Sequence, residues 1–341
     1  MLLYIFGFLF LGFIGMYFGA KYVIISLENI AKRFGISQLL VGLTILSIGT
    51  SLPEIAVSVI GGIDKLTGID PNVDGIVIGN KIGSFFTQIT LVLGILGLSQ
   101  SLFVSKWKLR REGIMLFISV FIFLFFALDG ILTRIEGVIM ILSYIGYLIF
   151  IIWSEKKIEK AQEKIRAFIA ERDGIDLTEI KKAKPEGPLP SIRKNALIFT
   201  GGLAILLVAA EFTILSAHGL SEAFNISEYV VGILIVGFGT SLPELVADLT
   251  AIRRKSGDIA IGDILGSNIC DILLATGSGV VIAEFRVPLI ILYFDIPMLL
   301  IAIGLTYYFL WTDNTLSRWE AVFLISYYAL YVFLKLSFFQ A

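Results

Sequence analysis

An all-α integral membrane fold, ten transmembrane helices arranged as two inverted five-helix repeats, follows from three observations on the sequence. The first is composition. Of 341 residues, 57% are apolar and 16% charged, and the mean hydropathy is +0.90, whereas a soluble domain carries about 25% charged residues. The second is segmentation. Charges and turn residues divide the chain into apolar runs at 2–26, 38–63, 75–99, 112–130, 136–153, 195–216, 226–252, 258–282, 287–309 and 316–338, each near the roughly 20 residues that cross a bilayer. The third is duplication. An ungapped offset of 190 residues superposes Phe34-Gly35-Ile36-Ser37 on Phe224-Asn225-Ile226-Ser227, and Gly-Thr-Ser-Leu-Pro-Glu at 49–54 on its copy at 239–244. After a loop seven residues longer in the first half, an offset of 183 superposes Gly79-Asn80-Lys81-Ile82-Gly83-Ser84 on Gly262-Asp263-Ile264-Leu265-Gly266-Ser267. Five spans per half is an odd number, so the second copy enters the membrane inverted, as in many secondary transporters.

Three regions result: a first repeat at 1–153, a linker at 154–194 and a second repeat at 195–341. Met1 leads directly into Leu2–Val23 with no basic n-region or small-residue cleavage site, which reads as a first span and not a signal peptide. Lys32, Arg33, Lys106, Lys108, Arg110, Arg111, Arg253, Arg254, Lys255 and Arg318 fall in loops on one side; only Lys65, Arg134 and Arg286 fall on the other. The positive-inside rule then places both termini outside the cell membrane and the linker in the cytoplasm. The linker opens with Ile158, Ala161, Ile165, Phe168 and Ile169 on one helical face and closes with Pro185, Pro188 and Pro190, an amphipathic helix followed by an extended tether. Its ordinary role is a solvated connection, with lipid or regulatory docking the alternative.

A net charge of −1 gives no reason to expect a nucleic-acid partner; membrane lipid and inorganic cations are the partners indicated. Cys270 is the only cysteine and His218 the only histidine, which excludes an intramolecular disulfide and soft-metal clusters; His218 reads as a solvated loop residue.

Glu54 and Glu244 stand within apolar spans, where an acid costs about 2.5–3.5 kcal/mol even on lenient scales. Each follows a proline. Pro53 and Pro243 lack the N–H that would bond the carbonyls of Gly49 and Gly239, which releases those oxygens beside the acid. Such groups persist in a membrane only where they face protein, water or a ligand. Thr50 and Glu54, Ser84 and Gln88, Thr240 and Glu244, and Ser267 and Asp271 are each one helical turn apart. If their helices converge, they form a pocket of oxygen ligands without sulfur or imidazole, suited to Ca²⁺ or Na⁺. Gly79, Gly83, Gly262 and Gly266 have small-xxx-small spacing and read as helix-packing positions.

These motifs, GTSLPE twice with GNKIGS and GDILGSNICD, resemble the alpha repeats of the sodium/calcium exchanger family, within the cation/calcium antiporter superfamily, over nearly the whole chain. The resemblance implies ten helices in two inverted units, the first and sixth forming a sliding pair, and secondary antiport of Ca²⁺ against Na⁺ by alternating access. It implies cation coordination by the side chains of Thr50, Ser51, Glu54, Ser84, Thr240, Ser241, Glu244, Ser267 and Asp271, and by the carbonyls of Ser47 and Gly237. No cofactor is implied, only transported Ca²⁺ and Na⁺; proton-coupled or Mg²⁺ exchange on the same fold is the alternative.

Several residues depart from that pattern. Gln88 stands where asparagine or aspartate is expected, and Phe85 where the second half has Asn268. Lys81 is unusual on the ligand face of Ser84 and Gln88, and Asp263 is its expected partner; Lys21 occupies the position that matches Glu211. A buried ion pair or snorkelling accounts for both lysines; the alternative is a tethered ammonium that replaces one bound monovalent cation. An enzymatic pump is excluded, because Asp64-Lys65-Leu66-Thr67-Gly68 only faintly resembles a phosphorylation motif, no phosphate loop exists and 154–194 is too short for a nucleotide domain. A channel remains a third class.

Overall fold

The structure, a computed structural model, describes residues 2–33, 47–100, 102–173, 191–253 and 257–339, with backbone only at 28, 31, 32, 158–173, 257–259 and 313. The first part of the expected second span, Arg254, Lys255 and the proline tether therefore lie outside the described residues, as do the side chains of the amphipathic face.

Helix follows helix. α1 (Leu2–Arg33) precedes the short α2 (Ser47–Thr50), α3 (Leu52–Thr67) and α4 (Asp74–Phe86). A π-helical turn at Thr87–Val92 joins α4 to α5 (Leu93–Ser99), and α6 (Lys106–Ala127) and α7 (Arg134–Asp173) follow. The second half repeats the pattern: α8 (Ile192–Phe224), α9 (Glu228–Val231), a π turn at Gly232–Val236, α10 (Gly237–Thr240) and α11 (Leu242–Arg253). Next come α12 (Gly257–Cys270), a π turn at Asp271–Ala275 and α13 (Thr276–Ile282). A further π turn at Ile291–Asp295 opens α14 (Ile296–Asp313), and α15 (Arg318–Phe338) ends the described chain.

Local chemistry sets the boundaries. Leu52-Pro53 starts α3 with proline in the first turn, and Gly68 ends it at φ 77°, a left-handed conformation glycine adopts at little cost. Asn225 and Asn314 end α8 and α14 with φ of 51° and 55°. Ser317 and Glu320 form a reciprocal capping box on α15. The expected end of the fifth span at 153 is not a helix end, since α7 continues unbroken to Asp173: nothing in Ser154–Asp173 breaks a helix, and its charges carry it out of the apolar layer.

Among the described residues, eight helices are long and apolar enough to cross a membrane by length and composition. Every 18-residue window of α6 carries at least three of Lys106, Lys108, Arg110, Arg111 and Glu112, and α3 is short because its span is broken at Ser51. Large apolar side chains cover the outside, among them Leu3, Phe10, Phe125, Ile135, Leu197 and Phe333, a surface that lipid must cover.

α1 and α8 run antiparallel along their length. A Cβ on Gly12 would lie 2.4 Å from Thr213 Oγ1, one on Gly15 2.7 Å from Ala209 Cβ, and one on Gly19 2.8 Å from Leu206 N. Two short antiparallel ladders tie the halves together elsewhere. β1 (Leu102–Phe103) pairs with β4 (Thr315–Leu316), and β2 (Ile131–Leu132) pairs with β3 (Phe285–Arg286). By the 183-residue offset β3 is the counterpart of β1, so each strand joins the next loop of the opposite repeat and not its own equivalent.

The inner helices pack through glycine. A Cβ on Gly83 would stand 2.1 Å from the Ile233 carbonyl oxygen, and one on Gly79 2.6 Å from that of Tyr229, while Gly266 faces Ser47 Oγ at 2.9 Å. Gly262 departs from the packing expectation, because open space surrounds its Cβ position. Gly83→Ala therefore destabilises the protein by about 1–3 kcal/mol, since overpacking against backbone outweighs the gain in helix propensity. Thermal unfolding in detergent measures it, with Gly262→Ala as the neutral control.

Candidate cation pocket

Both GTSLPE segments break their helix at one serine: α2 ends at Thr50 and α3 begins at Leu52; α10 ends at Thr240 and α11 begins at Leu242. The proline places the acid in the first turn of the new helix, at the centre of the protein. One expectation needs amendment: the Gly239 carbonyl is not left free, because the cap at Ser241 closes a backbone N–H onto it. The carbonyls nearest the hydroxyls are those of Ser47 and Gly237. Thr50 Oγ1 donates to Ser47 O at 3.2 Å, and Thr240 Oγ1 and Ser241 Oγ donate to Gly237 O at 3.3 and 2.8 Å.

All four broken helices converge, and a network of polar contacts runs between them. Thr50 Oγ1 and Ser267 Oγ lie 3.0 Å apart, Ser51 Oγ donates to Ser267 O at 3.4 Å, and Ser84 Oγ and Ser241 Oγ lie 2.9 Å apart. Ser84 Oγ also donates to Glu54 Oε1 at 2.9 Å and lies 3.4 Å from Asp271 Oδ2. Gln88 Nε2 bridges Ser84 Oγ at 3.0 Å and Asp271 Oδ2 at 3.3 Å. The π turns at Thr87–Val92 and Asp271–Ala275 fall beside these residues in both halves, which shifts the following turn and aims Gln88 and Asp271 inward. Thr276 Oγ1 takes up the Asp271 carbonyl at 2.9 Å. Every predicted ligand, from Ser47 to Asp271, is buried.

Acceptors are left over. Glu54 Oε2, both carboxylate oxygens of Glu244, Asp271 Oδ1 and Gln88 Oε1 have no hydrogen-bond partner. Glu54, Glu244 and Asp271 lie close enough to repel one another. A buried carboxylate oxygen with no donor is costly. Two other buried acids show the contrast: Asp295 accepts from Lys335 Nζ at 2.9 and 2.8 Å and from the hydroxyls of Tyr229 and Tyr331 at 2.6 Å each. Glu112 accepts from Arg111 Nε at 2.9 Å and from Tyr147 OH at 2.5 Å. Unpaired acceptors facing each other at a helix break are what a bare-cation pocket requires.

Lys81 enters this pocket but does not pair with Asp263. Its ammonium donates to the main-chain carbonyl of Glu54, within Coulomb reach of Glu54, Asp271 and Glu244. Lys81 stands one turn before Ser84, whose hydroxyl bonds Glu54, so the ammonium reaches the Glu54 main chain. Asp263 instead lies near Asp248 on α11, close enough for the two carboxyl groups to interact. Lys21 is exposed and lines a cavity beside those two acids, and Glu211 interacts with Asp64. His218 is also corrected: it lies within α8, partly covered, 2.7 Å from Glu228 Oε1 and 3.3 Å from Glu222 Oε1.

Sequence reasoning passed over Asn80, Asn268 and Asp248. Asn80 Oδ1 accepts from Thr240 Oγ1 at 3.5 Å; Asn268 Nδ2 donates to Ile264 O at 2.7 Å and leaves its Oδ1 unpaired. Asp248, one turn after Glu244, carried the same signal as Glu244 itself, an acid inside an apolar run.

Fold and pocket together define a multi-pass α-helical membrane transporter for inorganic cations. Comparison with known proteins fixes the family. The model of the sodium/calcium exchanger protein family matches residues 4–153 and again 194–337. The sodium/calcium exchanger MaX1 of Methanosarcina acetivorans is 28% identical over 95% of this chain and 96% of its own length. The inner membrane protein YrbG of Escherichia coli is 31% identical over 79% and 77%. The solved sodium-calcium exchanger NCX_Mj, soaked with Na⁺ and Sr²⁺, covers 100% of both chains at a TM-score of 0.63 and 28% identity. The chain belongs to the sodium/calcium exchanger family, a family of transporters and not of enzymes, and is a cation antiporter.

Proposed function

We propose that the chain exchanges Ca²⁺ for Na⁺ across the cell membrane through the pocket of Ser47, Thr50, Ser51, Glu54, Ser84, Gln88, Gly237, Thr240, Ser241, Glu244, Ser267 and Asp271. The observation that carries this is the set of unpaired carboxylate oxygens on Glu54, Glu244 and Asp271. Like charges and desolvation both oppose an empty, ionised pocket, so it must be loaded before the protein changes state. That requirement couples the two ions and prevents leak. The relatives named sodium/calcium exchangers support the choice of ions.

Ten spans in two inverted five-helix units, 1–153 and 195–341 about a cytoplasmic 154–194 linker with both termini outside, are part of the same reading. The antiparallel run of α1 on α8 supports inversion. So does the strand pairing, because the β1–β4 and β2–β3 partners share a membrane face only if the repeats are inverted. Trp107, Trp153, Trp311 and Trp319, all exposed, then fall at one interface, the cytoplasmic one, where tryptophan favours the headgroup layer.

Charge sets the stoichiometry. Three carboxylates and the Lys81 ammonium leave two net negative charges, balanced by one Ca²⁺ or by two Na⁺. Exchange of two Na⁺ per Ca²⁺ moves no net charge. In proteoliposomes, Ca²⁺ uptake requires internal Na⁺ and is indifferent to an imposed potential. Lys81→Met takes a third Na⁺ and becomes electrogenic, with uptake changing several-fold under about 100 mV, since one charge is then worth about 2.3 kcal/mol. Uptake driven by voltage alone would indicate a channel. Uptake driven by a pH gradient or competed by Mg²⁺ would move the assignment to proton or Mg²⁺ exchange.

A further inference from the structure

Beside the pocket, a cavity of about 430 Å³ runs between α1, α2, α11 and α12 from the exposed Lys21 to Thr50. Asp248 and Asp263 line it, 1% and 6% exposed. The two carboxyl groups lie close enough to interact, and Asp248 Oδ2 and both oxygens of Asp263 have no hydrogen-bond partner. A structural acid in this protein looks different, as the four bonds to Asp295 show. Nor does the duplication explain the pair, for its counterparts in the first half are the neutral Ser58 and Asn80.

Helical spacing connects the two acids to the exchange pocket. Asp248 stands one turn beyond Glu244 on α11, and Asp263 one turn before Ser267 and about two before Asp271 on α12. Two oxygen ladders thus descend from the cavity into the pocket, on helices packed against each other. Two carboxylates match the charge of one divalent ion, they are hard ligands, and the cavity has room for the water such an ion retains.

We propose that Asp248 and Asp263 form an accessory divalent-cation site, a loading station for Ca²⁺ one helical turn from the exchange pocket on the side where α11 ends. Its role in exchange rests on the reading given above, in which that side is cytoplasmic. Its existence does not, and the test separates them. In the purified full chain with the pocket disabled by Glu54→Gln, Glu244→Gln and Asp271→Asn, equilibrium binding of radioactive Ca²⁺ gives about one ion per chain, lost when Asp248→Asn and Asp263→Asn are added. No binding in the pocket-disabled chain, or binding that survives the added substitutions, overturns the site. Should that chain fail to fold, Asp248→Asn alone is reconstituted in proteoliposomes of one orientation. The KM for Ca²⁺ offered at the cytoplasmic face rises about tenfold while the KM at the outer face stays unchanged, because a unit charge is removed from one approach only. Equal shifts at both faces, or none at either, overturn it as well. Failure of the exchange reading would abolish the flux and leave the binding result standing.

Discussion

Glu244→Gln abolishes Na⁺-dependent Ca²⁺ uptake in proteoliposomes, and Glu54→Gln does the same. Both Glu244 oxygens are buried without a partner, so the whole anionic capacity of the group is available to an ion. A unit charge at 4 Å under an effective dielectric of about 20 is worth about 4 kcal/mol, and the ion concerned carries two charges. Even after the amide oxygen recovers part of this as a neutral ligand, affinity falls by at least about a hundredfold, at about 1.4 kcal/mol per decade. Glu54 shares one oxygen with Ser84, which leaves it one free ligand atom where Glu244 has two. Glu244→Gln is therefore the more severe. Equilibrium Ca²⁺ binding on purified protein measures the effect apart from transport; a variant that binds Ca²⁺ as wild type does would remove Glu244 from the pocket.

The duplication and the residues that meet in the pocket were legible because duplication and membrane insertion both leave strong marks. An acid in an apolar run is rare enough to notice once, and GTSLPE occurs twice. The spacing of Thr50 to Glu54 and of Ser267 to Asp271 gave the facing set, but not its wiring. Hydroxyls and acids one turn apart contact the opposite helix, Thr50 with Ser267 and Ser84 with Glu54, which a one-dimensional period does not encode. The π turns that aim Gln88 and Asp271 have no 3.6-residue signature. Lys81 was visible as an intruder, yet its partner was not: a side chain this long reaches a main-chain carbonyl as readily as a carboxylate, and pseudo-symmetry names equivalent positions, not neighbours. Asp295 and Lys335 went unread because each is a single charge in a separate span, with no repeat to draw attention to it.

That ion pair gives the largest expected effect on stability. Asp295 and Lys335 are wholly buried, and the acid also holds the hydroxyls of Tyr229 and Tyr331 at 2.6 Å, joining α9, the start of α14 and α15. Asp295→Ala strands an ammonium and two hydroxyls in an apolar interior, a loss of about 3–5 kcal/mol, read as a fall in the midpoint of thermal unfolding in detergent. Replacing both partners, Asp295→Asn with Lys335→Met, leaves no buried charge and recovers most of that loss, with Ca²⁺ binding preserved throughout. The pocket acids respond with the opposite sign. In ion-free buffer Glu244→Gln raises the unfolding midpoint, because it removes a carboxylate that only a bound cation would compensate, and added Ca²⁺ then stabilises wild type more than the variant. A destabilised Glu244→Gln in ion-free buffer would mean that its oxygens are already satisfied, and would count against the pocket as directly as lost uptake counts for it.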